Sequence, residues 1–406
     1  NYATIVREGY TNPNPIALAM LDDILLGRQK LTGNIFFDVT PLENLTWRTE
    51  LGYDISSSKA DRYKPMVDLG AWKRSSNESG IQKNSSTYWQ FKNYLTYNGN
   101  MDDHYFTAMV GHEAWESRYD FTSIFNTGLP SDEVHNPALG TGTPTINSGF
   151  GSAAMVSVFT RLTYNYADRY LGTYTYRRDG SSNFGPENRW AGFHSFAASW
   201  RFSNEQFFEP LLETVSNGKL RIGWGQTGNS NIGGYLWGTR MTRMPSGLGM
   251  GYRPSNIPNT AIKWESQEQW NIGLDLGFFR DRVNLVLDWY KKESNDMLMP
   301  LQLPSYMGTS GNASSALAAP WGNYGNIENT GLEIALNTHP IEGNFSWDSD
   351  FQISFNKNKL KGLAGTTNAQ IVGYGQWTDV VSVSMVGEPL YNFYGYVTDG
   401  VYMDLE

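Results

Sequence analysis

Apolar and polar positions alternate with a period of two through most of this chain. From Leu45 the odd positions read Leu45, Trp47, Thr49, Leu51, Tyr53 and Ile55, while Thr46, Arg48, Glu50, Gly52, Asp54 and Ser56 fall between them. Trp270, Ile272, Leu274, Leu276 and Phe278 separate in the same way from Asn271, Gly273, Asp275 and Gly277. Phe345, Trp347, Phe351, Ile353 and Phe355 do so from their neighbours. An extended strand sends such sets to opposite faces, whereas helical spacing would scatter both over one surface. The pattern predicts about twelve strands, near 32–40, 45–56, 86–97, 105–116, 153–166, 170–180, 189–202, 219–227, 262–277, 283–294, 330–338 and 344–358. Phe207, Phe208, Leu211, Leu212 and Val215 break it and suggest a short amphipathic helix within 204–217.

The spacing of these strands narrows the fold class. Short connections (Pro41–Asn44, Asn98–His104, Ala167–Arg169, Phe279–Asp281, His339–Gly343) alternate with long ones (Ser57–Ser85, Ser117–Ser152, Thr227–Ala261, Glu293–Asn329). Charges such as Arg48, Glu50 and Asp275 on the polar face suit a water-filled lumen, not a dry core. Short turns at one end and long loops at the other describe an antiparallel transmembrane β-barrel, with periplasmic turns and extracellular loops. Trp89, Trp115, Trp190, Trp200, Trp264, Trp289 and Trp347 stand near strand ends, where interfacial girdles are expected.

Composition changes this picture little. The 406 residues include 42 glycines, 14% aromatics and no cysteine, with a net charge of −9. No apolar run approaches the ~20 residues a membrane helix needs, the longest being Ile16–Leu21. Asn1–Tyr10 has no apolar core of a signal peptide, which an exported protein would in any case have lost. Absent cysteines exclude disulfides and thiolate metal sites. The acidic balance argues against nucleic-acid binding. Five scattered histidines, His104, His112, His135, His194 and His339, lack metal-binding spacing, so neither metal nor cofactor is expected. Glu265 and Glu268 could serve as a glycosidase pair, but opposite parity points them apart. No nucleophile elbow, phosphate loop or dinucleotide fingerprint occurs, and no catalytic residue is assigned.

Five segments, in order, resemble the SusC/RagA family of TonB-dependent outer-membrane transporters. They are YRRDGSSNFG at 176–185, KLRIGWGQTGN at 219–229, WESQEQWNIGLD at 264–275, GNIENTGLE at 325–333 and GEPLYNFYGYVTDG at 387–400. The first 175 residues fit by pattern more than by motif. The motif residues read as architecture: Arg177, with Asp179 and Gly180 in a turn tolerating positive φ and Ser181 and Ser182 capping it. Gly223, Gly225 and Gly228 leave room for neighbouring strands, beside Thr227 and Asn229. Trp264 and Glu265 open a strand, and Asn329, Gly331 and Glu333 mark re-entry from a long loop. The resemblance implies part of a barrel of about 22 strands, with plug domain, TonB-box and final strands expected outside residues 1–406. It also implies energised import of an oligosaccharide or oligopeptide, with a SusD-like surface lipoprotein as lid and TonB as energy coupler. Loop aromatics Trp72, Tyr235, Trp237, Trp321, Tyr324 and Trp377 are the candidate substrate contacts, since exposed rings stack on sugars or peptide side chains. A passive porin and a secreted β-rich glycan-binding or glycan-hydrolysing protein are the rival readings.

Overall fold

The computed structural model describes residues 15–68, 72–301, 306, 317–341, 343–363, 370–375, 379–398 and 400. A twelve-stranded sheet dominates, each strand bonded to its sequence neighbours. The strands are β1 (Asp23–Leu42), β2 (Leu45–Lys64), β3 (Glu78–Met101), β4 (His104–Thr127), β5 (Thr145–Tyr166) and β6 (Tyr170–Ser181). They continue as β7 (Trp190–Trp200), β8 (Val215–Asn229), β9 (Glu265–Phe278), β10 (Val283–Pro300), β11 (Trp321–Ile341) and β12 (Trp347–Leu363). The all-β expectation holds strand for strand. Most strands outrun their apolar alternation at the loop end, because that signal stops where lipid stops while backbone pairing continues.

Two units are compact: Asn1–Asp38, Arg48–Asn93 and Glu113–Met155 in one, and Val39–Trp47, Tyr94–His112 and Val156–Glu406 in the other. In the first, the loop after β4 is stitched down by buried polar side chains. Asn77 accepts from the Leu129 N–H (2.7 Å) and donates to the Leu129 carbonyl (3.2 Å). Asn126 donates to the carbonyls of Pro137 (2.9 Å) and Gly140 (3.1 Å), and Ser79 to that of His135. The Tyr63 ring stacks on His135 at 4.0 Å and its hydroxyl donates to Asp132. Burial, reinforced by that carboxylate, pushes the Tyr63 hydroxyl up to about 12. Helix α1 (Pro15–Leu21) went unforeseen, as its one apolar run carries no helical periodicity.

In the second unit a row of aromatic side chains crosses one face of β6 to β9. Register aligns Tyr174, Phe196, Trp224 and Trp270 across four strands. Adjacent rings in this row stand 5.7 Å (Phe196–Trp224) and 6.2 Å (Trp224–Trp270) apart. This is an interfacial girdle, and Trp89, Trp190, Trp200, Trp289 and Trp347 are likewise exposed. Trp264 departs from the expectation: it precedes β9 and is buried, while Trp115 is half-buried.

The β5–β6 turn needs no glycine, since Ala167 (φ +49°) and Asp168 (φ +53°) both adopt left-handed backbone. Asn165 locks it, accepting from the Asp168 N–H at 3.1 Å. The amphipathic helix expected within 204–217 is instead two 3₁₀ turns, Phe202–Asn204 and Gln206–Leu211, because Pro210 denies the longer helix a backbone donor. Glu205 anchors them, accepting from the Tyr170 hydroxyl (2.7 Å) and the Trp200 indole (3.1 Å). Those donors, Tyr170 first, hold its carboxyl below the usual glutamate range.

Candidate transport surface

The face opposite the girdle is a polar wall, and it has tiers. Nearest the short turns on β8, Arg221 bonds Asp275 through two nitrogens (2.7 and 2.9 Å) and reaches Asp288 at 3.0 Å. Lys219 lies opposite Asp275 in register, and Glu333 opposite Asp288. Above this ionic tier the residues of β6 to β9 are uncharged, with Lys292 of β10 opposite Gln269 in register. Thr173 on β6, Ser195 and Ala197 on β7, Gly223, Gly225 and Thr227 on β8, and Gln267, Gln269 and Asn271 on β9 line one shallow hollow. Gln269 donates to Asn271 at 2.7 Å, and Gln267 to Ser294 at 3.3 Å. Towards the loops charge returns with Arg177, which donates to Asp179 and Ser157, both at 2.7 Å. Small side chains and amides offer paired donors and acceptors without a fixed charge, so a polar neutral chain can exchange hydrogen bonds along this tier.

Above the wall, three motif segments converge on one cluster. Phe184 is fully buried and lies 5.1 Å from Trp264, whose other side meets the edge of Phe193 at 5.7 Å. The Trp264 indole donates to the Arg189 carbonyl (3.0 Å), and Asn183 to that of Ser230 (2.9 Å). A Cβ at Gly228 would stand 2.0 Å from the Phe193 ring, which only glycine avoids. Ser181 accepts from the Asn183 N–H at 3.2 Å, and Asn229 likewise accepts from Asn231. Ser182 also has an interaction. Asp179 and Gly180, however, form no turn. They are extended residues of β6 paired with Ala191 and Trp190, and the absent Gly180 side chain admits the Trp190 ring.

The fourth motif needs a similar correction. Because β11 starts at Trp321, Asn329 and Gly331 sit mid-strand, opposite Lys292 and Tyr290. A Cβ at Gly331 would collide with the Tyr290 ring at 2.5 Å, so the glycine lets that ring lie across the strand and donate to Asn356. Glu265 accepts from the Leu298 N–H, and Glu268 from the Trp224 indole, so they do not form a pair.

The loop aromatics are less exposed than substrate platforms should be. Only Tyr235 among those described is exposed, at φ +59° and 6.3 Å from Trp237. Trp237 is half-buried against Gly185, Tyr324 against Gly322, and Trp72 beneath Arg74 at 5.2 Å. Trp321 is half-buried, its carbonyl accepting from Asn259. Trp377 lies outside the described residues. The neutral tier was missed in the sequence because glycines and amides there read as gaps between apolar positions. Its regular parity opposite Phe196, Trp224, Trp270 and Ile272 was the available signal.

The TonB dependent receptor-like, beta-barrel family matches residues 6–404. TonB-dependent receptor P3 of Formosa agariphila is 29% identical over 98% of this chain and 40% of its own length. TonB-dependent receptor SusC of Bacteroides thetaiotaomicron is 36% identical over 52% of this chain and 21% of its own length. The structure of the RagAB peptide transporter superposes with a TM-score of 0.86 at 24% identity, covering 96% of this chain and 42% of that one. This chain thus spans about two fifths of the first of these relatives. Strand count, girdle, polar wall and the match across nearly every residue agree: the chain belongs to the TonB-dependent receptor β-barrel family.

Proposed function

We propose that the protein containing this chain imports an oligosaccharide or oligopeptide across the outer membrane, energised through TonB and lidded by a SusD-like lipoprotein. The chain itself is wall of an outer-membrane β-barrel, and the family is one of transporters, not enzymes. The observation that carries the proposal is the neutral tier from Thr173 to Asn271, bounded below by Arg221, Asp275 and Asp288 and above by Arg177 and Asp179. Short uncharged chains rich in hydroxyls or amides suit such a surface, whereas a cationic solute would be desolvated there beside Lys292 without a counter-charge. The oligopeptide half of the reading draws on the RagAB peptide transporter, and the oligosaccharide half on the SusC/RagA resemblance.

Uptake of labelled neutral oligosaccharides and oligopeptides by cells carrying the intact transporter tests this reading. Uptake should stop with a proton uncoupler and fall about tenfold in Gln267→Glu, whose half-buried carboxylate faces the uncharged Thr227 and Ser294 and weakens binding of a neutral chain by roughly 1.4 kcal/mol. Uptake indifferent to the uncoupler would favour the passive porin, and uptake indifferent to Gln267→Glu would remove the neutral tier from the path.

A further inference from the structure

The neutral tier has a route towards the short turns that avoids the charges beneath it. Register puts Thr173, Ala197 and Gly223 at one level, and Leu171, Ser199 and Arg221 at the next level down on the same face. That lower level is divided. Across β8 to β11 it runs from Arg221 to Asp288 and Glu333. On β6 and β7 it carries Leu171 and Ser199.

Leu171 also belongs to a second hollow of about 510 Å³, whose walls include Asn98, Asn100, Thr107, Thr163 and Asn165. The exposed ring of Tyr105 lies among them. These residues come from β3 to β6, inside the sheet and within the second compact unit. Thr173 lines this hollow, the neutral tier and a smaller hollow of about 330 Å³ between the two, so the three adjoin. Charge frames the second hollow without lining it. Arg161 stands above Thr163 on the same face, and Lys219 and Arg221 line one side of the small hollow. Glu43, Asp102, Asp103 and Asp168 are exposed in the turns below.

The chemistry of the second hollow repeats that of the neutral tier. Thr107 donates to the Asn98 side-chain carbonyl at 2.8 Å, so that amide meets a ligand as a donor. Asn165 is fixed through the turn, donating to the Asp168 carboxylate at 2.6 Å. Amides and hydroxyls beside one exposed ring suit an uncharged polar chain. Across β8 to β11 the same chain would strip water from Arg221, Asp288 and Glu333 and offer no counter-charge in return.

We propose that this hollow is a second binding site for the transported neutral chain, occupied as the chain leaves the neutral tier for the periplasm. The inference rests on the import reading above. Thr173 is the point of transfer, because it borders both sites, and the charged sector of β8 to β11 stays off the path.

The test uses cells carrying the intact transporter, with a labelled uncharged oligosaccharide and a labelled uncharged oligopeptide as probes. Binding is read on uncoupled cells and uptake on energised ones. Asn98→Asp keeps the bond from Thr107 and adds a charge, so uptake should fall about tenfold while binding to uncoupled cells stays unchanged. Uptake equal to wild type, or binding lost in step with uptake, would overturn the second site. Uptake that persists with the uncoupler or in Gln267→Glu would overturn the import reading and this site with it. Uptake that fails both of those but survives Asn98→Asp would overturn this site alone. Asn100→Cys supplies a readout that a merely structural role would not move. A neutral maleimide should label it in energised cells without probe and label it more slowly while the probe is being imported. Equal labelling with and without probe would overturn the proposal, and this comparison decides the matter should Asn98→Asp fail to reach the membrane.

Discussion

The two compact units differ in what holds their long loops. In the first, the loop after β4 is fixed by amides and hydroxyls: Asn77 on Leu129, Asn126 on Pro137 and Gly140, Ser79 on His135, Tyr63 on Asp132. In the second, asparagines also bond the backbone, as Asn256 does to Gly238 and Asn323 to Lys263, but Phe184, Phe193 and Trp264 add an aromatic knot, closing over one another with Ile262 fully buried nearby. Buried polar stitches are directional and fail one bond at a time, while aromatic burial is graded and tolerates small shifts. A barrel rim in water can use either, because neither lipid nor a central core dictates the choice.

The largest effect should come from the aromatic side. Trp264→Ala removes a large buried ring and leaves a cavity between Phe184 and Phe193, at about 4 kcal/mol of local stability. Hydrogen exchange of the intact protein in detergent should show amides of 181–189 and 225–229 exchanging faster, with Leu129 unaffected. If their protection survives, burial is not what holds that rim. Asn77→Ala comes next at about 3 kcal/mol, since it strands a buried N–H and a buried carbonyl of Leu129 together. Proteolytic nicking within 128–144 should then precede any change at 182–189. Were Asn77→Ala as resistant as wild type, the stitches would be ornamental.

How far each region could be read in advance follows from the same contrast. The wall was legible because half of each strand meets lipid, which forces an alternation no loop imitates. Leu45 to Ile55 and Trp270 to Phe278 carry that signal by themselves. The aromatic knot was half-legible: the segments holding Phe184, Gly228 and Trp264 stood out as motifs, but nothing in one dimension says they meet. Gly180 and Gly331 were misread as turn and re-entry residues because glycine signals missing space as readily as a bend. Here the space belongs to Trp190 and Tyr290 on adjoining strands. The polar stitches were invisible, since Asn77, Ser79 and Asn126 are the residue types any loop contains.

The smallest effect separates the two rims by pH. Among Tyr63, Asp132 and His135 in the polar network, Tyr63 is pushed up to about 12, above the ordinary tyrosine value. A group whose folded-state value is raised contributes stability that is fully present below the unfolded value, near 10, and lost as pH climbs to the folded one. The cause is burial first and the Asp132 carboxylate second, so ionising Tyr63 would place two anions in contact. Between about pH 10 and 12 the loop after β4 should therefore loosen by about 2 kcal/mol at most. The Phe184–Trp264 knot, which has no titrating ring, should not move. Tyr63→Phe keeps the stack on His135 and removes the ionisation, so the protection of its loop relative to free-peptide exchange should stay flat across that range. A profile that still falls in Tyr63→Phe would trace the alkaline loss to the wall, and the contrast between stitched and packed rims would not extend to pH.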